Sequence, residues 1–215
     1  MVSRVIPVEP FDLVIFGGTG DLARRKILPG LFRRFCAGQM PADATVVGAA
    51  RSDMDTDGYR AFVADAVREF GGDQKAPDDQ LQAFLARMEY VSSDARGEKG
   101  WRELADLVQP GRVHAFYFSV APGLFGDLAE RLNQHGLTND ASRIVVEKPF
   151  GRDLASAKAF NRDLAAYFDE SQIYRIDPYL GKETVPKLMA VRFGNLLVEP
   201  TRNSQYVRHN HIHMA

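Results

Sequence analysis

Short apolar runs alternate with longer amphipathic stretches along most of the chain. The apolar runs have the length of buried β-strands, whereas the amphipathic stretches repeat their apolar positions with helical spacing. Strands are predicted at residues 11–16, 45–49, 89–91, 113–118, 143–147 and 172–176. Helices are predicted at 22–36, 58–70, 101–108, 123–135 and 153–168, and one more is predicted to end near Arg87.

This alternation of strands and helices predicts the fold. Parallel strands cannot be joined by tight hairpins, so strands separated by helices form a parallel sheet that is covered on both faces. We therefore expect an α/β protein with a doubly wound parallel sheet in residues 1–177. The pattern changes after Asp177, where 180–192 is typical of a helix and 196–215 alternates loosely with many polar residues. Residues 178–215 are predicted to be the incomplete beginning of a second domain.

Composition and charge exclude several classes of function. The 215 residues carry a formal net charge of −1 and include one cysteine, Cys36, which is expected to pack in its helix. A near-neutral charge argues against nucleic acid or a membrane surface as partner, and one thiol forms neither an internal disulfide nor a cysteine zinc site. No signal peptide is expected in residues 1–10, and no apolar run approaches the ~20 residues of a membrane span. The sequence therefore predicts a cytoplasmic protein.

A glycine-rich turn directly follows the first predicted strand. Its residues are Gly17, Gly18, Thr19, Gly20, Asp21, Leu22 and Ala23, and from Gly18 they match the dinucleotide fingerprint G-x-G-x-x-A. Glycines permit a tight turn and let backbone N–H groups approach a pyrophosphate, whose charge is favoured by the following helix N-terminus. The position between strand and helix favours a Rossmann-type dinucleotide site over the alternative, a glycine turn that binds no ligand.

The residue after the second predicted strand bears on the choice of dinucleotide. Sites that prefer NAD usually carry an acid there, which bonds the ribose 2′-hydroxyl, whereas this chain has Arg51 followed by Ser52. A guanidinium can hold the 2′-phosphate of NADP by charge-assisted, bidentate bonds. The sequence therefore predicts NADP as cofactor. A solvated surface arginine is the alternative, and Asp53 is a competing acid nearby.

Three segments resemble one known family. They are FGGTGDLARRK at 16–26, EKPFG at 147–151 and YRIDPYLGKETV at 174–185. In this order and spacing they look like glucose-6-phosphate dehydrogenase, and the resemblance covers nearly the whole chain, although family members are more than twice as long. It implies a Rossmann-type coenzyme domain followed by the truncated start of an α+β substrate domain.

The resemblance also implies an activity and residue roles. In that family, glucose 6-phosphate passes a hydride from C1 to NADP and becomes 6-phosphogluconolactone in the oxidative pentose phosphate pathway, while a histidine base removes the C1 hydroxyl proton. Asp177 matches the carboxylate that orients this base. Lys148 matches a lysine that reaches both substrate and cofactor, and Pro149 matches a proline that is typically cis. Other matching positions are Tyr179 and Lys182 at the sugar phosphate, and Asp94 and Ala95 near the cofactor. Residues 119–122 follow the strand at 113–118 and are also expected to line the dinucleotide crevice.

The substrate side departs from the family pattern. Pro178 stands where the family has a phosphate-binding histidine, and the general-base histidine belongs to a later motif that these 215 residues do not reach. None of the five histidines matches the base; His114 and His135 are expected to be structural. The last three histidines alternate along the chain: His209, His211 and His213. On one face of a strand they could bind a metal adventitiously, but no physiological metal site is expected there.

Two functions therefore remain open. One is an NADP-dependent glucose-6-phosphate dehydrogenase, with full activity in the complete polypeptide; the other is a catalytically inactive NADP-binding fragment or interaction module. The family resemblance implies a homo-oligomer for full-length members, formed through the substrate domain. A short-chain reductase is disfavoured because it needs a Tyr-x-x-x-Lys pair, and Tyr179 and Lys182 are three positions apart.

Overall fold

The computed structural model describes residues 8–72, 77–151 and 153–176. The chain divides into two compact units, residues 1–176 and 177–215. The second unit lies outside the described residues, and with it the helix expected at 180–192 and the loosely alternating stretch at 196–215. The assignment of these residues to a substrate domain stays a prediction.

A six-stranded parallel sheet forms the centre of the first unit. Its strands are β1 (Phe11–Phe16), β2 (Thr45–Ala50), β3 (Met88–Ser92), β4 (Val113–Phe118), β5 (Arg143–Glu147) and β6 (Ile173–Ile176). They are ordered β3-β2-β1-β4-β5-β6, and every neighbouring pair is parallel. The chain order reverses between β1 and β4, which is the place where doubly wound sheets bind ligands at their carboxyl ends. The predicted fold class is confirmed.

Helices cover both faces of the sheet. In the described part they are α1 (Leu28–Cys36), α2 (Thr56–Phe70), α3 (Asp78–Leu85), α4 (Trp101–Leu107), α5 (Phe125–Gln134) and α6 (Leu154–Ala165). The first three contribute Phe32, Val63 and Phe84 to a core that also holds Ile15. The last three contribute to the core on the other face, which holds Val14. Neighbouring residues of β1 enter opposite cores because successive side chains of a strand point to opposite faces.

The helix that follows the glycine turn begins earlier than α1. Residues 21–36 are helical throughout, and Ala23–Ile27 form one π-helical turn within this stretch. Pro29 lies in the first turn of α1. Because proline has no N–H and its ring crowds the carbonyl four residues earlier, it favours a widened turn at this point. Cys36, expected to pack, is instead exposed, because it is the last residue of α1, where the chain leaves the core.

Side-chain caps fix the starts of two helices that the apolar pattern located only approximately. Asp55 precedes α2 and accepts a hydrogen bond from the backbone N–H of Gly58 at 2.8 Å. Asp153 and Ser156 form a reciprocal capping box at the start of α6. That helix ends at Ala165, short of the predicted residue 168, but Phe168 remains buried because the next turn continues its backbone hydrogen bonding.

Two histidines have the structural roles that the sequence suggested. His114 is buried in β4, where its ring nitrogens lie 3.1 and 3.0 Å from the carbonyl oxygens of Leu137 and Gln109. The ring of His135 stacks on Trp101 with 5.6 Å between centroids. Both imidazoles therefore serve packing and loop attachment.

Candidate functional site

The glycine turn after β1 has a backbone that only glycine fits without strain. Gly17 has a φ of +82°, and a Cβ atom there would lie 2.1 Å from the carbonyl oxygen of Ser119. A Cβ on Gly18 would lie 2.8 Å from the Cα of Gly48. The turn therefore runs against β2 and the end of β4, and space for a side chain is missing on both sides.

Hydrogen bonds attach this turn to β2 and connect it to the start of the following helix. The N–H of Gly17 donates to the carbonyl of Ala49 at 2.8 Å, and the N–H of Gly20 donates to the carbonyl of Gly17 at 2.8 Å. The carbonyl of Gly20 accepts from the N–H of Arg24 at 2.9 Å and so begins the helix. The first N–H groups of a helix have no partner within it, which leaves them for a phosphate.

A cleft of about 620 Å³ lies beside this turn, at the carboxyl ends of β1 to β4. This volume is in the range of cofactor pockets. Its wall combines the glycine turn, the end of β2, the loop after β3 and the start of the β4–α5 connection. The lining residues are Phe16, Gly17, Thr19, Gly20, Ala49, Ala50, Arg51, Ser52, Ser93, Asp94, Ala95, Arg96, Val120, Ala121, Leu124 and Leu128.

Most of the predicted cofactor residues thus meet at one place. Six of them line the cleft: Gly17, Thr19, Gly20, Arg51, Asp94 and Ala95. The other four are not among the lining residues: Gly18, Asp21, Leu22 and Lys148. Gly18 serves the turn through its close approach to Gly48, whereas Asp21 is exposed and forms an ion pair with Arg25 at 2.6 Å.

Arg51 and Asp53, the two competing charges after β2, differ in position. Arg51 is exposed and lines the cleft. Asp53 is not among the lining residues; its side chain is 99% exposed and lies 4.0 Å from the ammonium of Lys99. The charge at the cleft wall on this side is therefore positive.

The loop after β3 supplies Arg96, which the sequence did not indicate, beside the predicted Asp94. Arg96 lines the cleft and forms an ion pair with Asp127 at 2.9 Å. Asp94 accepts a hydrogen bond from the N–H of Arg96 at 3.1 Å, and its carbonyl accepts from the indole of Trp101 at 3.0 Å. Arg96 could have been found from its place just beyond a strand end, as Arg51 was.

A hydroxyl contact joins two sides of the cleft. Thr19, in the glycine turn, and Ser52, after β2, have their side-chain oxygens 3.0 Å apart. Ser52 was not predicted as a site residue. Its signal in the sequence was only its position next to Arg51, since a single serine in a polar loop has many other uses.

The second predicted motif lies at the end of β5, on the other half of the sheet. Lys148 is exposed, and the peptide bond between Lys148 and Pro149 is cis, as the resemblance implied. Glu147 accepts a short hydrogen bond from the hydroxyl of Tyr117. Burial and this acidic neighbour raise the pKa of Tyr117, so the phenol stays protonated as the donor.

The remaining predicted substrate residues lie outside the described residues. They are Asp177, Tyr179 and Lys182, together with Pro178 and the histidines His209, His211 and His213. Their roles stay predictions. Within residues 8–72, 77–151 and 153–176, no helix is long and apolar enough to cross a membrane.

The glycine turn, the switch in strand order and the cleft at the strand ends together define a Rossmann-type dinucleotide-binding domain. Residues 14–187 match the family model described as glucose-6-phosphate dehydrogenase, NAD binding domain. The chain belongs to the glucose-6-phosphate dehydrogenase family, and it carries that family's dinucleotide-binding domain.

Similar proteins agree with this assignment. A glucose-6-phosphate 1-dehydrogenase of Rhizobium meliloti is 48% identical over 97% of this chain and 43% of its own length. The corresponding protein of Gluconobacter oxydans is 45% identical over 93% of this chain and 42% of its own. A solved glucose-6-phosphate 1-dehydrogenase from Mycobacterium avium superposes with a TM-score of 0.77 at 31% identity, covering 93% of this chain and 43% of that one. This chain therefore spans less than half the length of these relatives.

Proposed function

We propose that this chain binds NADP through the glycine turn and Arg51, as the coenzyme domain of a glucose-6-phosphate dehydrogenase. The observation that carries the proposal is that Gly17, Gly20 and Arg51 line one cleft while Asp53 stays outside it. The first N–H groups of the helix after the turn would bind the pyrophosphate, and Arg51 lines the cleft after β2, on the side where the adenosine ribose is expected. The cleft is large enough for part of a dinucleotide.

The preference for NADP over NAD follows from the sign of the charge after β2. A guanidinium pairs with the 2′-phosphate, whereas an acid there would repel it and bond the 2′-hydroxyl of NAD. Asp94 also lines the cleft, but it stands in the loop after β3, and its carboxylate accepts a hydrogen bond from the backbone N–H of Arg96 at 3.1 Å. Arg51 is the charged residue that lines the cleft directly after β2, where the ribose is expected. Arg51 is therefore the group that discriminates between the two dinucleotides.

The proposed activity is oxidation of glucose 6-phosphate to 6-phosphogluconolactone. When bound, NADP supplies a nicotinamide that accepts a hydride from C1 of the sugar. Lys148 binds substrate and cofactor from the end of β5, and Asp177 orients the general base. Tyr179 and Lys182 hold the sugar phosphate.

A solved glucose-6-phosphate dehydrogenase in complex with its substrate glucose 6-phosphate supports this substrate, because it matches 93% of this chain with a TM-score of 0.77 at 29% identity. We extend the proposal to oligomeric state and localisation: the full-length protein forms a homo-oligomer in the cytoplasm. A single cysteine in the sequence supports a reducing compartment.

A catalytically inactive NADP-binding fragment is the second candidate. It is favoured by Pro178, which stands in place of the family's phosphate-binding histidine. A steady-state assay of NADPH formation from glucose 6-phosphate separates the two. Turnover by this chain alone would eliminate the fragment hypothesis, whereas NADP binding without turnover would support it.

Calorimetric titration with NADP and with NAD tests the cofactor assignment. We expect tighter binding of NADP, and we expect Arg51→Ala to lower NADP affinity about ten- to hundred-fold, since a charge-assisted bidentate pair is lost, while NAD affinity stays unchanged. Arg68→Ala is the matched control, because Arg68 is an exposed arginine of α2 outside the cleft. Equal loss of NADP affinity in both variants would refute the role of Arg51.

A further inference from the structure

Two tyrosines whose rings contact each other lie behind the cleft and outside its lining. Tyr59, from α2, and Tyr90, from β3, have ring centroids 5.1 Å apart. Tyr59 is fully buried and Tyr90 is 7% exposed, and neither is among the residues that line the cleft. Their rings belong to the core under the cleft, whereas their hydroxyl groups reach its two walls.

The hydroxyl of Tyr90 binds the backbone on both sides of Arg51. It lies 2.7 Å from the carbonyl oxygen of Ser52 and 3.2 Å from that of Ala50. A phenol has one proton, which is shared between these two acceptors. The carbonyl groups of the residues before and after Arg51 are therefore tied to one point on β3.

Tyr90 itself is firmly placed. It pairs with Gly48 in the parallel register of β2 and β3, and its N–H donates to the hydroxyl of Thr56 at 3.2 Å. Burial raises the pKa of Tyr90, and the nearby charge of Asp53 adds to this, against the opposing effect of the Ser52 side-chain hydroxyl. The hydroxyl thus remains a proton donor at neutral pH.

The hydroxyl of Tyr59 reaches the other wall. It donates to the carbonyl of Gly18 in the glycine turn, at the longer distance of 3.4 Å. Gly48 makes room for this ring, since a Cβ there would lie 2.3 Å from it. One tyrosine thus contacts the turn assigned to the pyrophosphate, which NADP and NAD share, and the other contacts the turn assigned to the 2′-phosphate, which only NADP has.

We propose that Tyr90 is a positioning residue that sets the preference for NADP by fixing the backbone on both sides of Arg51. This inference rests on the proposed function. Arg51 has a long, exposed side chain, which loses conformational entropy when it binds a phosphate. This entropy loss weakens the binding. A fixed backbone reduces that loss and aims the guanidinium at the ribose. Tyr90 therefore strengthens the binding of NADP without touching it.

The test compares affinities for NADP and NAD by calorimetry, with thermal unfolding measured in parallel. Tyr90→Phe should lower the ratio of NADP to NAD affinity about three- to ten-fold, the usual effect of one lost hydrogen bond, with NAD affinity unchanged. Tyr59→Phe is the matched control: it removes a hydroxyl from the neighbouring ring and should leave the ratio unchanged. Tyr167→Phe, after α6 and outside the cleft, should change neither affinity.

A double variant tests whether Tyr90 acts through Arg51. If it does, Tyr90→Phe has no further effect on NADP affinity once Arg51→Ala is present. An equal fold-loss in both backgrounds would overturn the inference. So would an unchanged affinity ratio in Tyr90→Phe, whereas failure of the unsubstituted protein to bind NADP would overturn the proposed function and this inference together.

Two non-natural residues cover the case in which Tyr90→Phe does not fold. Tyr90→4-fluorophenylalanine fills the space of the hydroxyl without a proton to donate, and it should show the lowered ratio. Tyr90→4-aminophenylalanine restores an N–H donor and should return the ratio toward that of the natural residue. Equal ratios in these two proteins would show that shape alone matters and would overturn the inference.

Discussion

Single glycines determine how closely the backbone segments of this site approach one another. Gly17 needs its positive φ, and Gly18 lies against Gly48 of the neighbouring strand. Gly48 stands in β2, where a glycine normally weakens a strand. Here its missing side chain provides the space for the ring of Tyr59. The sequence pattern indicated the first two glycines, whereas the reason for Gly48 appears only when α2 is packed on the sheet.

Gly17→Ala tests the turn at the residue scale. Its Cβ would meet the carbonyl oxygen of Ser119 at 2.1 Å, so we expect a loss of about 2 kcal/mol in unfolding free energy and at least about ten-fold weaker binding of both dinucleotides. Chemical denaturation and calorimetry measure the two effects. Gly38→Ala is the control, because Gly38 has a φ of +66° but no atom within 4 Å of the added Cβ. It should lose about 1 kcal/mol and keep its affinity; the same affinity loss in both variants would contradict the role of the turn.

The elements that surround the cleft hold its loops from behind. β3 carries Tyr90 to the turn after β2, and α4 carries Trp101 to the carbonyl of Asp94 in the loop after β3. α2 reaches the glycine turn through Tyr59. Loops at strand ends are therefore supported by side chains from elements that do not line the cleft, which makes the site dependent on the packing of these elements.

The start of α2 offers a prediction at the element scale. Asp55→Ala removes the cap that accepts the N–H of Gly58 at 2.8 Å, and we expect it to lower the unfolding free energy by about 1 kcal/mol. Asp55→Asn keeps a capping oxygen and should lose only a few tenths of that amount. Urea denaturation measures both. Equal destabilisation by the two substitutions would mean that the charge, rather than the cap, stabilises this helix.

At the scale of the whole molecule, the first unit contains two apolar cores that share one sheet. β1 contributes to both, with Val14 and Phe16 on one face and Leu13 and Ile15 on the other. One buried acid is fixed beside this strand: Asp12 accepts hydrogen bonds from Gln109 at 2.8 Å and Arg112 at 3.1 Å. Because β1 contributes side chains to both cores, its disruption should unfold the whole unit cooperatively.

Three tyrosines, two buried and one half-buried, predict how stability responds to alkaline pH. Burial raises the pKa values of Tyr59, Tyr90 and Tyr117 above the ordinary value of 10.0. The folded protein therefore holds these protons more tightly than the unfolded chain, so their contribution is complete below about pH 10 and is lost as pH rises above it. Denaturant unfolding between about pH 9 and 11 should show a falling free energy of unfolding.

Tyr117→Phe isolates one contribution to this fall. It removes a phenol whose pKa is raised both by burial and by Glu147, so the slope of stability against pH above about 10 should become shallower. Tyr174→Phe is the control, since the side chain of Tyr174 is 50% exposed. If the two substitutions changed the slope equally, burial would not explain the alkaline loss.

The apolar pattern predicted the bounds of the strands more accurately than the bounds of the helices. β1, β4 and β5 were predicted with correct bounds, because buried parallel strands are short runs of mainly apolar residues. Helix ends were displaced by a few residues, since Asp55 and Asp153 determine the starts through hydrogen bonds that periodicity does not report. Cys36 was misjudged because apolar spacing does not show where a helix passes beyond the core.

The sequence by itself determined the family, the fold class and the chemistry offered at the strand ends, because glycines, charges and apolar runs at fixed spacing act locally. Only the tertiary structure decided which of these residues meet. It brought Arg51 to the cleft and left Asp53 outside, and it joined Ser52 to Thr19 and Tyr90 to the backbone around Arg51. Such contacts link residues more than thirty positions apart, and their geometry depends on the sheet register and on how α2 packs against it.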